Sequence, residues 1–338
     1  MNTHLSLCLS LVACAVLSAA LNAADWVNIT TDLDGDYGWA RGSNSTIAVA
    51  PGSDAVWTWI GKMGPYSTSG GKTWEALLDP AADLPSEGIV NRFVFDPADP
   101  KTCWISLMYG KGLFKTTDGG HHFTAIGGFS HLDGLTIDFS DPARKTMVIA
   151  QHEQSRSLVR SKDGGKSWRG IGMNLPENTK FTTWPLLLSA DILLTNTSGW
   201  GGGSISGIWR STNCGDDWTK VSDLAPVNFP LVTAQSTVLY PVSGGLARST
   251  DHGVTWTQVQ GPSGPAIQLP DARIAAMAGR QLMVSADDGQ SWKTLGPPCP
   301  GDPSGIGPNV AYQPGHKAFI VCVSSDANSD KAMWRLSE

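Results

Sequence analysis

The chain has 338 residues, a net charge of -6 and 16% charged side chains. By length alone two domains are allowed, but the acidic balance and the lack of a Lys/Arg cluster exclude a polyanionic nucleic-acid partner. Glycine at 38, proline at 21 and tryptophan at 14, with no long helical apolar period, call for many short strands joined by turns.

Residues 1–24 are apolar and end in the small residues Ala19-Ala20-Leu21-Asn22-Ala23-Ala24, which predicts a cleaved export signal and a mature chain of 25–338. Leu11-Val12-Ala13-Cys14 is similar to a bacterial lipobox, the alternative being a lipid anchor on Cys14. The apolar run continues past Cys14 to Leu17, so secreted or periplasmic export ranks first. No other stretch is long and apolar enough to predict a membrane span.

After the leader, one eight-residue phrase recurs six times: STSGGKTW from Ser67, TTDGGHHF from Thr116, SKDGGKSW from Ser161, STNCGDDW from Ser211, STDHGVTW from Ser249 and SADDGQSW from Ser285. Self-similarity at a period of roughly 20–50 residues marks a solenoid or propeller. Each phrase predicts a tight turn between antiparallel strands. A short polar side chain bonds the local backbone, glycines take the left-handed conformation, and the final aromatic residue opens the next strand.

The strand opened at Trp26 (DWVNIT) has no unit of its own, whereas KAMWRLSE at the carboxyl end resembles the strand before each phrase and then stops. The anchors Trp26, Trp74, Phe123, Trp168, Trp218, Trp256 and Trp292 therefore predict seven units of one blade each. The expected fold is all-β, a single closed seven-bladed β-propeller whose amino-terminal strand completes the last blade, which leaves few exposed strand edges.

These phrases resemble the Asp-box (BNR) repeat of sialidases, xyloglucanases and sortilin-like ectodomains. Asp118, Asp163, Asp251 and Asp287 match the namesake position, while Ser69 and Asn213 replace it. The resemblance implies a propeller over the whole mature chain, with the boxes on turns away from the functional face. For a sialidase it further implies an arginine triad, near whose first member Arg41 falls, and a Tyr-Glu pair; none follows Arg273 or Arg280. For a xyloglucanase-like enzyme it implies a cleft between two propellers, and this chain supplies one.

If the boxes mark the turn between third and fourth strands, the approach to each first strand and the turn after each second strand lie on the other face, where binding groups concentrate. In blade three His131 and Asp133 precede one strand while His152 and Glu153 follow its neighbour, so two imidazoles and two carboxylates are expected to converge. Glu87, Arg92, Tyr109 and Lys111 of blade two, with Arg41 and Arg156, suit an acidic sugar. Trp39, Trp184 and Trp200 lie in expected loops and offer flat platforms for a pyranose; packing is the alternative.

Several chemistries drop out. There is no H-E-x-x-H, no paired C-x-x-C and no G-x-S-x-G, so neither a metal nor another cofactor is expected. His121 and His122 are read as turn residues. Of the four mature cysteines, Cys299 and Cys322 are expected to form a disulfide, and Cys103 to be a buried free thiol. Asn28, Asn44 and Asn196 begin glycosylation triplets, which carry meaning only in a eukaryotic source.

The expected function is an exported, monomeric, carbohydrate-active propeller on extracellular glycans. In a hydrolase-like version two of Glu87, Asp133 and Glu153 form an acid and base pair. A weaker resemblance to seven-bladed polysaccharide lyases implies proton abstraction by His131 or His152, protonation of the leaving oxygen by Tyr109 and charge neutralisation by Arg92. The competing class is a non-catalytic propeller that binds a protein or peptide, as sortilin-like and photosystem-assembly relatives do.

Overall fold

A computed structural model describes residues 25–29, 46–59, 65–68, 73–79, 89–110, 112–198, 205–303, 308–323 and 332–338. The expected leader with Cys14 lies outside these residues, as do Trp39, Arg41, Glu87, Lys111 and Trp200.

The described strands form four-stranded antiparallel sheets that follow one another around a ring. Blade one runs Ile47–Val49, Val56–Trp59, Pro65–Thr68, Glu75–Ala76, and blade two Ile89–Asp96, Asp99–Met108, Leu113–Thr116, Thr124–Ile126. Blade three is Leu132–Ile137, Met147–Gln151, Leu158–Ser161, Arg169–Gly170, and blade four Phe181–Leu187, Leu193–Ser198, Gly207–Ser211, Thr219–Ser222. Blades five and six begin at Leu231–Val232 and Ile267–Gln268 and end at Thr257–Gln260 and Lys293–Thr294.

Six blades, not seven, are thus contiguous units, which corrects the expectation of seven units of one blade each. The remaining four-stranded sheet is composite: Val310–Gln313, Ala318–Val323 and Ala332–Ser337 are joined by Val27–Asn28 through the pairs Val27 with Arg335 and Asn28 with Trp334. The physical reason is that Val27–Asn28 pairs on the outer edge of Ala332–Ser337, so the fourth strand of that sheet comes from a distant part of the chain and covers an otherwise open edge.

Apolar side chains fill the gaps between neighbouring sheets. Trp57 and Trp59 of blade one meet Val90 and Phe93 of blade two, and Trp104 and Leu113 meet Leu135 and Ile149 of blade three. Leu158 meets Leu193, Leu194 meets Val238, and Leu282 meets Phe319. Ile47 and Val56 pack on Ile320 and Met333, so the composite sheet also packs on blade one. Between blades five and six the joint is partly polar: Asp288 takes hydrogen bonds from Arg248 and the Thr237 hydroxyl, while Gly289 lies against Leu239.

The turn phrases are built from side chains that bond their own loop. The Ser161 hydroxyl donates to Asp163 (2.8 Å) and accepts from Gly165 N–H (2.8 Å), while Asp163 accepts from Ser167 N–H (2.9 Å). Ser249 with Asp251 and Ser285 with Asp287 repeat the pattern. Asn213 replaces the carboxylate without loss, because its Oδ1 accepts from Asp217 N–H and its amide donates to the Asp217 carboxylate. The phrase is also the joint to the preceding blade. Gly253 sits at φ 79°, and a Cβ there would lie 2.8 Å from Leu194 of blade four.

All four described cysteines are buried, and Cys299 is a free thiol, so the expected Cys299–Cys322 bridge is absent. Strand alternation explains it: Cys322 points toward Val56 and Met333 on the blade-one side, whereas Cys299 packs with Phe319 and Val321 on the blade-six side. Cys103 is a buried thiol whose pKa burial pushes well up. Among the described residues no helix is long and apolar enough to cross a membrane.

Candidate functional site

The register of blade three sets its polar residues at one end. Leu132 pairs with Gln151, while Ile137, Met147 and the turn residue Ser161 align at the other end. Residues beside Leu132 and after Gln151 therefore gather away from the turn phrase.

The first strands of blades two, three and four each break register near that end, between Val90 and Arg92, Leu132 and Gly134, and Thr183 and Leu186. A bulge adds a residue and re-aims its side chain. Here the extra residues are Asn91, Asp133 and the Trp184-Pro185 step. Tyr109 (φ 56°), His131 (54°), Glu153 (52°), Arg156 (49°) and Trp184 (46°) all adopt left-handed backbone. Each costs about 1–2 kcal/mol for an L-residue, a strain that clusters where side chains must be aimed.

His152 is the centre of the cluster. Its Nδ1 lies 2.7 Å from Asp133 Oδ1 and its Nε2 lies 3.0 Å from the Tyr109 hydroxyl. These partners assign the tautomer: Nδ1–H donates to the carboxylate, and Nε2 accepts from the Tyr109 O–H. Glu153 Oε1 stands 3.7 Å from Nε2. The His152 and Asp133 side chains are each 13% exposed, against 53% for Glu153. Burial pushes the Asp133 carboxyl up and His152 opposes the rise.

The backbone clamps this arrangement. His152 N–H donates to His131 O (2.6 Å) and His131 N–H donates to Gly110 O (3.0 Å), so the loops of blades two and three are tied together. The Tyr109 ring meets the His152 ring edge-on at 4.8 Å and the His131 ring at 6.0 Å. Beneath them Asn91, fully buried, donates to Leu132 O (2.7 Å) and accepts from the Ser106 hydroxyl.

Tyr109, His131, Asp133, His152 and Glu153 are therefore brought together. Asp133 contacts Nδ1 of the imidazole while Glu153 stands near Nε2, and the Glu153 charge also acts to raise the Asp133 pKa. Arg156 Nη1 donates to Met173 O (3.4 Å). Trp184 packs toward blade five, its ring 6.5 Å from Phe229. Arg92 lines the axial channel and lies over the Phe229 ring at 5.2 Å. Sequence reasoning missed Phe229; its only signal was a place next to Asn228, before the first strand of blade five. Among the described residues no group of three or more His, Cys, Asp or Glu forms a metal-binding set.

No protein-family model matches the chain. Its sequence is similar to a xyloglucanase of Hypocrea jecorina, 23% identical over 300 residues that cover 71% of this chain and 35% of the relative. The chain thus spans about a third of the length of that curated relative. Among solved structures it is similar to the GH74 xyloglucanase of Xanthomonas campestris, with TM-score 0.54, 15% identity, and coverage of 92% of this chain and 55% of that one. It is also similar to YCF48 bound to D1 peptide, with TM-score 0.57, 15% identity, and coverage of 94% and 98%. At these identities the structures establish the fold: an all-β propeller similar to those of glycoside hydrolases.

Proposed function

We propose that this protein is an exported glycan-cleaving propeller of the glycoside hydrolase-like kind, acting at the rim formed by blades two and three. The observation that carries the reading is the chain from Asp133 through His152 to Tyr109. Asp133 holds the imidazole in one tautomer. His152 exchanges a proton with the Tyr109 hydroxyl, which stands on a half-exposed residue and supplies or removes a proton at a glycosidic oxygen or at an attacking water. The exposed Glu153 carboxylate and the His131 ring flank it as groups for sugar hydroxyls. The similarity to xyloglucanases supports a glycan as substrate, and the Asp-box resemblance supports the same propeller class.

A second reading, a non-catalytic propeller that binds a peptide, is favoured by one observation: this chain covers 98% of YCF48 bound to D1 peptide but 55% of the GH74 structure. Mass spectrometry of products from xyloglucan and from neutral and acidic polysaccharides decides between them. Fragments heavier by one water support hydrolysis, and fragments with an unsaturated uronate move the reaction to elimination at the same residues. No product from any polysaccharide, or equal product from Tyr109→Phe, sinks the catalytic reading.

A further inference from the structure

The axial channel holds a cation that the described protein does not neutralise. First strands of blades one, two, five and six and of the composite sheet enclose a cavity of about 520 Å³, within the range of small-molecule sites. Its walls are mostly apolar, with Phe93, Leu231, Ile267 and Val310 among them, and among the described residues Arg92 is the one charged side chain on them.

Other arginines are matched to oxygens: Arg144 to Asp96, Arg248 to Asp288, Arg273 to Glu338 and Arg160 to Cys214 O. Among the described residues Arg92 has the Phe229 face and no hydrogen-bond or ion-pair partner. Burial, partly offset by the nearby Tyr240, lowers its pKa to about 10, so it stays charged at neutral pH. A charge on a low-dielectric wall draws a counter-ion, since its lost hydration is otherwise uncompensated.

The chemistry of that counter-ion is narrow. A single guanidinium fork matches a planar carboxylate in two parallel hydrogen bonds, whereas a phosphate dianion calls for further donors, and among the described residues no second cation lines the cavity. The channel also adjoins the rim cluster: a Cβ on Gly134, next to Asp133, would come within 3.4 Å of the Phe229 ring on which Arg92 lies.

We infer that Arg92 makes the axial channel a binding site for a carboxylate on a sugar-sized body, a free uronate or a uronate unit of a glycan. This deepens the glycan reading by assigning an acidic sugar, and it rests on that reading only for the choice of sugar. The carboxylate meets the guanidinium while the sugar body lies along the apolar wall.

Isothermal calorimetry with glucuronate and glucose tests it. Glucuronate is expected to bind the wild-type protein at least tenfold more tightly than glucose, Arg92→Gln to erase that difference, and Arg92→Lys to retain part of it. Equal binding of the two sugars by wild type, or undiminished glucuronate binding by Arg92→Gln, overturns the inference. Should Arg92→Gln fail to fold, amide shifts of the wild-type protein serve instead. Glucuronate must move Phe229, Leu231 and Gln268, and shifts confined to residues outside the channel overturn the site. A trigalacturonate titration separates the sources, with tighter binding of the trimer assigning a chain and weaker binding a free acid. Calorimetry requires no bond cleavage, so a protein that binds glucuronate but cleaves nothing keeps this site and loses the catalytic reading.

Discussion

Two His–Asp pairs of equal length, 2.7 Å, do different things in this molecule. His122 and Asp118 lie four residues apart inside a turn phrase, with side chains 63% and 41% exposed. His152 and Asp133 lie nineteen residues apart, both 13% exposed, and the imidazole has Tyr109 on its far nitrogen. Desolvation of Asp118, the largest single influence, raises its pKa, but the His122 ring, the His122 backbone N–H and the Thr116 hydroxyl together outweigh it and hold the carboxyl far below its ordinary range. In Asp133 burial wins and the pKa rises. The same contact is therefore turn scaffolding where water and local donors surround it, and part of a three-group chain where the fold removes water and adds Tyr109.

The largest test of that contrast is Tyr109→Phe, which keeps the ring and removes the hydroxyl. Product formation is expected to fall by about 10²-fold or more, the usual contribution of a positioned acid or base, with little change in melting temperature. His152→Ala is expected to match that loss and also to destabilise by about 1–3 kcal/mol, since it leaves the Asp133 carboxyl buried without its partner; denaturant melts check the second part.

On the scaffold side, Gly253→Ala forces an L-residue to φ 79° with its Cβ 2.8 Å from Leu194, and is expected to cost about 1–3 kcal/mol by thermal melt with glycan products unchanged in kind. A smaller effect is expected from pH. The Ser167 and Ser291 hydroxyls, followed by backbone N–H groups, hold Asp163 and Asp287 at about 2, below the ordinary 3.8. Their contribution to stability is complete above the unfolded value and is lost as pH falls through about 2. Asp163→Asn and Asp287→Asn should therefore flatten the acid limb of a stability profile; an unchanged limb refutes the assignment. The smallest effect is expected from His122→Ala, within about 0.5 kcal/mol, because its carboxylate pair is exposed. A large loss of activity there would break the comparison between the two pairs.

Much of the fold was legible before any coordinates. The turn phrase is local chemistry: a hydroxyl, a carboxylate four residues before the N–H it accepts, and a glycine that leaves room for the neighbouring blade all lie within eight residues. Repetition of that phrase then implied a ring. The gathering of His131, Asp133, His152, Glu153 and Tyr109 was legible as well, because in an antiparallel sheet residues before a first strand and after a second share one end. Arg156 and Trp184 were read onto the same face, but their contacts are with Met173 and Phe229, partners that residue type and spacing do not reveal.

By itself, then, the sequence determined what short-range chemistry determines: the turn phrases, the alternation of strands around them, and which blades carry titratable loops. Tertiary structure alone decided which of those groups touch. It placed Cys299 and Cys322 on opposite sides of one sheet, set the imidazole between Asp133 and Glu153, and stacked Arg92 of blade two on Phe229 from the approach to blade five. The contacts of Asp133 with His152 and of Arg92 with Phe229 join residues from nineteen to more than a hundred positions apart through bulges and blade packing, and no local pattern in the chain encodes their sum.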